Sequence, residues 1–166
     1  MATIVEVIVA LILTTGAFAA GGPIPSQYTC DGADVSPALA WSGAPPGTAA
    51  FALIADDPDA PAGTWVHWVL FNLPGGVTAL PEGVPKTEAP AALGHALQGR
   101  NDFKRIGYGG PCPPPGKAHR YFFKLYALGA ALPLKAGATK QDVERAMRGH
   151  VLAETSLMGT YARHGR

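Results

Sequence analysis

The chain has 166 residues, of which Gly (21) and Pro (16) together make about a fifth, and 48% are hydrophobic. That is the composition of a turn-rich globular protein rather than a disordered one, and the length suits one domain over residues 1–166 that buries roughly 70% of its unfolded surface. Charged residues are only 15% and the net charge is +1, which argues against a nucleic-acid partner, because neutralising phosphates needs a basic surface.

The near-neutral total hides a split. Residues 1–85 carry seven acids and no Lys or Arg, whereas residues 86–166 carry all 13 bases against five acids. The halves are therefore formally −7 and +8. No linker separates them, so we expect one domain in which the halves interleave and opposite charge helps them associate.

In chain order, the first segment is apolar. Ala17-Phe18-Ala19 has the form of a signal-peptidase site, yet no basic residue precedes the apolar run and Glu6 stands where one belongs. The uninterrupted run Val7 to Leu13 is far shorter than the roughly 20 residues of a membrane span. Its β-branched residues, Ile4, Val5, Val7, Ile8, Val9 and Ile12, predict a buried strand. A cytoplasmic location is expected, with a periplasmic or secreted one as the alternative if residues 1–19 act as a signal peptide.

Further strands are predicted at 38–41, 49–55, 65–73, 119–128 and 151–161, between loops at 21–37, 56–64, 74–100 and 107–118. Strict alternation in 65–73 places Trp65, His67, Val69 and Phe71 on one face and Val66, Trp68, Leu70 and Asn72 on the other. Both faces are largely apolar, as in an interior strand covered on both sides. One helix is predicted over 140–148, capped by Thr139, with an apolar stripe of Val143, Ala146 and Met147 set against the sheet edges.

Two loops carry the chemistry. Asp56-Asp57-Pro58-Asp59-Ala60-Pro61 concentrates carboxylates between prolines that stiffen the backbone. In Gly107-Tyr-Gly-Gly-Pro-Cys-Pro-Pro-Pro-Gly116, Gly109 and Gly110 are expected to present backbone N–H groups to a ligand while the prolines hold the loop. Cys30 and Cys112 are compatible with a disulfide or with two free thiols.

The blocks DPDAP (57–61), WVHW (65–68), GYGGPCPP (107–114) and HRY (119–121), with YTCDG (28–32), GRNDF (99–103) and LMGTY (157–161), resemble the phosphatidylethanolamine-binding protein family, which includes the Raf kinase inhibitor protein. They resemble its prokaryote-type branch most. The resemblance implies a mainly β fold, an antiparallel sandwich with one or two short helices, and a small pocket for the phosphate of a phospholipid head group. It implies that Asp57, Pro61, Trp65, His67, Gly109, Gly110, Pro113, Pro114, His119 and Tyr121 line that pocket. It further implies a soluble or peripheral protein without cofactor, able to form homodimers and to inhibit a kinase or protease.

A metal-dependent hydrolase is the alternative, because Asp57, His67 and His119 supply a carboxylate and two imidazoles, the ligand types of a facial triad. Nucleophilic catalysis ranks below both: there is no Gly-x-Ser-x-Gly elbow, and Cys112 sits in a proline-rich loop with no helix N-terminus beside it.

Overall fold

A computed structural model describes residue 4 and residues 9–164. Eight strands fall into two antiparallel sheets. β1 (Ile12–Thr14), β2 (Leu39–Ser42) and β5 (Ala79–Leu80) form a three-stranded sheet in the order β1-β2-β5. The larger sheet has the order β6-β4-β3-β7-β8, built from β3 (Ala50–Asp57), β4 (Trp65–Pro74), β6 (Leu97–Gln98), β7 (His119–Leu128) and β8 (Val151–Tyr161). The expected mainly β, antiparallel sandwich is what forms.

All eight residues of β3 are buried, because both faces of the large sheet are covered. Phe51, Leu53 and Ala55 face inward and pack with Leu13, Trp41 and Leu80 of the small sheet. Ala52 and Ile54 face outward and pack with Val143 and Met147 of α1 (Lys140–Met147). The predicted helix therefore covers the outer face of the large sheet rather than the sheet edges. The reason is the apolar outward set Ala52, Ile54, Val69 and Phe71, which has no second sheet to bury it.

Two β-bulges break the alternation expected in β4. Ala55 pairs with Trp68 and Asp56 with Val66, so His67 is an extra residue; a second irregularity lies between the Leu53–Leu70 and Phe51–Leu73 pairs. Val66 therefore shares the outer face with Val69 and Phe71, while Trp68 and Leu70 face the inner core. His67, expected beside Val69 and Phe71, instead meets the ring of Tyr121, an inner-core residue.

The predicted N-terminal strand falls only in part on the described residues. Among the described residues it spans only Ile12–Thr14, and Ile4 and Val9 are exposed; Val5, Val7 and Ile8 lie outside the described residues. The register explains the limit, since β2 offers partners only for Ile12, Leu13 and Thr14. Phe18 packs in the core 6.1 Å from Phe123, so the stretch that reads as a cleavage site is folded into the sandwich. No helix among the described residues is long and apolar enough to cross a membrane.

Cys30 and Cys112 are joined in a disulfide, which settles the alternative that their sequence positions left open.

At α1 the capping box is complete: the Thr139 hydroxyl accepts from the Asp142 N–H, and the Asp142 carboxylate accepts from the Thr139 N–H. Thr139→Ala is expected to lower the unfolding free energy by about 1 kcal/mol in a denaturant titration, with the β-sheet circular dichroism of the native state unchanged.

Candidate functional site

At the end of β3 the pleat sends two neighbouring carboxylates to opposite faces. Asp56 turns outward, where the ammonium groups of Lys124 and Lys140 lie 3.0 and 2.8 Å from its Oδ2. Asp57 turns inward. Its Oδ1 accepts from the Asp59 N–H at 2.7 Å, and its Oδ2 lies 2.8 Å from Nδ1 of His119, the first residue of β7. A carboxylate only accepts, so Nδ1 of His119 carries the proton and Nε2 is left for another partner.

The DPDAP loop is anchored from outside by Asp59. Its carboxylate accepts from the N–H, Nε and Nη2 of Arg120 at 2.9, 3.0 and 2.9 Å. These bonds hold the Asp59 carboxyl at about 2. The loop is thus fixed to β7 on both sides of Pro58, which sets the angle between Asp57 and His119.

His67 reaches the same place through the bulge in β4. Its Nδ1 lies 2.6 Å from the carbonyl of Gly109, while the N–H of Gly109 donates to the carbonyl of His67 at 2.9 Å. The carbonyl is purely an acceptor, so this ring also keeps its proton on Nδ1. Burial pushes the imidazole below its ordinary value, with only 4% of the residue exposed. His67 is therefore a neutral ring whose Nε2 accepts. Rings of Phe103 and Tyr121 stand edge-on to it at 5.4 and 5.2 Å, and Trp65 stands edge-on to Phe103 at 5.4 Å.

These side chains enclose a cavity of about 190 Å³ lined by Asp57, Ala60, Pro61, Trp65, His67, Phe103, Cys112, Pro113, Pro114, His119 and Tyr121. Eight of the ten residues expected to line a pocket are there. No Lys or Arg is among the described lining residues. The Tyr121 hydroxyl is buried with no hydrogen-bond partner. Burial, reinforced by the charge of Asp57, pushes that phenol far above its usual value, so it remains a donor in want of an acceptor.

Gly109 and Gly110 are the exceptions, and their expected role as ligand-facing amides is corrected by the hydrogen bonds. The Gly109 N–H is used on His67, and the Gly110 N–H donates to Oδ1 of Asp34 at 2.7 Å. Both residues border a different cavity, behind the wall. They are glycines because neighbours press on them. A Cβ on Gly109 would lie 2.6 Å from the Phe103 ring, and one on Gly110 would lie 2.2 Å from the Tyr28 carbonyl oxygen.

Sequence reasoning missed Ala60, Phe103 and Cys112 as lining residues. Phe103 is presented by a turn in which the buried Asn101 side chain donates to the Gly107 carbonyl and accepts from the Arg105 N–H. Asp102 completes that turn by accepting from the Val66 N–H at 2.7 Å. The polar pattern of the GRNDF block was visible in the sequence, but its destination was not. The facial triad of the hydrolase alternative does not form: among the described residues no three His, Cys, Asp or Glu side chains are grouped to hold a metal ion, and the Asp57 carboxylate is engaged by His119 and the Asp59 N–H.

Fold and cavity together define a two-sheet β-sandwich protein with a small pocket of one carboxylate, two imidazoles and an aromatic wall. A family model described as phosphatidylethanolamine-binding protein matches residues 14–162, and the chain belongs to that family. A UPF0098 protein of Methanothermobacter thermautotrophicus is 53% identical over 151 residues, covering 91% of this chain and 98% of its own length. A UPF0098 protein of Aquifex aeolicus is 49% identical, covering 88% of this chain and 85% of its own length. Among solved structures, the family homologue CT736 of Chlamydia trachomatis superposes with a TM-score of 0.84 at 41% identity, covering 93% of this chain and 98% of that one. YbcL of Escherichia coli, described as a member of the mammalian family, gives 0.86 at 34% identity, covering 92% and 98%.

Two outcomes follow from the geometry. Gly110→Ala is expected to cost about 2 kcal/mol or more, because backbone atoms have to move, and Gly109→Ala less, because the Phe103 ring gives way; paired denaturant titrations check the order. His67 is expected to titrate below the ordinary histidine value in a ¹⁵N imidazole NMR titration. Its folded-state value lies below the unfolded one, so the unfolded chain takes up the proton first, and the His67 contribution to stability is lost as pH falls from about 6.5 toward the folded-state value.

Proposed function

We propose that the cavity binds a small phosphate-bearing anion, either free phosphate or the phosphate of a phospholipid head group, and that the protein works by binding rather than by turnover. The observation that carries this reading is the Asp57–His119 bond, which fixes one imidazole at the cavity with Nε2 unused. Membership of a family described as phosphatidylethanolamine-binding supports the same ligand class.

The two imidazoles divide the work. When protonated, His119 donates through Nε2 to a phosphate oxygen and keeps Asp57 as its counter-charge. Neutral His67 accepts, so it favours the form of the ligand that still carries a hydroxyl proton or an ammonium N–H. Tyr121 adds a donor that has no protein acceptor. The aromatic and proline wall excludes water around these bonds, which strengthens them without a formal cation beside the anion. A regulator that blocks a kinase or protease is the cellular form this reading favours, with the ligand setting whether the cavity rim is free to dock.

Calorimetry with phosphate and with phosphoethanolamine tests the proposal. His119→Ala is expected to weaken binding at least tenfold, and Tyr121→Phe about threefold to tenfold. No binding by the wild type, or an affinity unchanged in His119→Ala, would overturn it.

A further inference from the structure

The wall of the cavity hangs from a covalent bond that is open to solvent. Cys30 and Cys112 are both exposed. Cys112 lines the ligand cavity beside Pro113 and Pro114, and with Cys30 it also lines the cavity of about 300 Å³ behind the wall. Before Cys112 the loop is held by the Cys30 N–H on the Pro111 carbonyl at 3.1 Å; after it, by the Gly116 N–H on the Arg163 carbonyl at 3.0 Å. Between these bonds stand Cys112 and three prolines, and prolines have no N–H to give. Ahead of the bridge that pairs Pro115 with Arg163, the disulfide is therefore the cross-link that fixes Cys112, Pro113 and Pro114.

The surroundings of the two sulfurs are not equivalent. Nη1 of Arg163 lies 3.9 Å from Sγ of Cys112, and its Nη2 is held 3.0 Å from Oδ1 of Asp31. A thiolate released on Cys112 would face a guanidinium already fixed in place, whereas Cys30 adjoins the Asp31 carboxylate in sequence. Cys112 is thus the better leaving sulfur and Cys30 the better target, because exchange is faster when the departing thiolate is stabilised.

We propose that Cys30–Cys112 is a reversible redox-modification site that sets the shape of the ligand cavity. An external thiolate, of the class of low-molecular-weight cellular thiols, attacks Sγ of Cys30. The S–S bond breaks, its electron pair leaves on Cys112, and a mixed disulfide forms on Cys30. A second external thiolate attacks the external sulfur of that mixed disulfide, freeing Cys30 as a thiolate and releasing the external disulfide. Overall two electrons and two protons pass to the protein. The reduced wall loses its tether and the cavity its fixed outline; oxidation restores both. The effect on ligand rests on the phosphate-binding reading above, but the thiol chemistry does not.

The test uses the native chain with reduced glutathione, quenched in acid and mapped by mass spectrometry. The expected results are reduction without denaturant and a glutathione adduct on Cys30. Arg163→Gln is expected to lower the alkylation rate of the Cys112 thiol at neutral pH about threefold to tenfold. Phosphoethanolamine affinity is expected to drop about fivefold or more on reduction and to return on reoxidation, since a preorganised wall is lost. A disulfide that resists glutathione until the chain unfolds, an adduct on Cys112, or an alkylation rate indifferent to Arg163→Gln overturns the proposal. If the oxidised protein binds no phosphoethanolamine, the ligand reading fails by itself, and the wall is then read from amide shifts at Gly116, His119 and Tyr121. Shifts there on reduction support the switch, and their absence overturns it.

Discussion

The register between β3 and β7 is the constraint on which the rest depends. It pairs Asp56 with Phe122 and Ala55 with Phe123, and so brings the acidic end of one strand against the basic start of the other. Three contacts follow along that seam: Asp56 with Lys124, Asp57 with His119, and Asp59 with Arg120. A slip by one residue would exchange the faces of every side chain on β7. Tyr121 and Phe123 would leave the core, and His119 would leave the cavity.

The charge split along the chain has its physical meaning here. Among the described residues, Lys86–Asp34, Arg163–Asp31 and Lys140–Asp56 also join the basic half to the acidic half, and Lys140–Glu144 is the ion pair within one half. The exposed pairs, Lys86–Asp34, Arg120–Asp59 and Arg163–Asp31, contribute little stability each, so their value is in register and mutual recognition rather than in holding strength. Holding strength comes from the two apolar clusters and from a disulfide that spans 82 residues, a separation for which loop-closure entropy alone gives roughly 4 to 5 kcal/mol.

Much of this was legible in the sequence, and the limits have identifiable causes. β7 and β8 were bounded at the residues observed: β7 runs up to Gly129, and β8 starts just past the Gly149-His150 turn. The Thr139 cap and the Arg148-Gly149 end marked the helix, since those residue types satisfy orphan backbone groups locally. What failed was non-local. The bulge at His67 is dictated by the pairing of β4 with β3, and nothing in Trp65-Val66-His67-Trp68 itself shows that the period breaks. Gly109 and Gly110 were read as ligand amides because a glycine-rich loop permits that; the close approach of Phe103 and the Tyr28 carbonyl comes from segments 6 and 82 positions away. The gathering of three distant motifs into one cavity came from family resemblance, not from spacing.

The dipeptide Asp56-Asp57 shows how one sequence element separates structure from chemistry. Both carboxylates are nearly fully buried, at 1% and 3% exposed, and a buried charge must be paired. On the outer face Asp56 is held between two ammonium groups, those of Lys124 and Lys140. On the inner face Asp57 has an imidazole, whose Nε2 is left for another partner at the cavity. The same pleat that hides one carboxylate between two ammonium groups thus turns the other to the cavity, where its partner is a ring with one nitrogen still to spend.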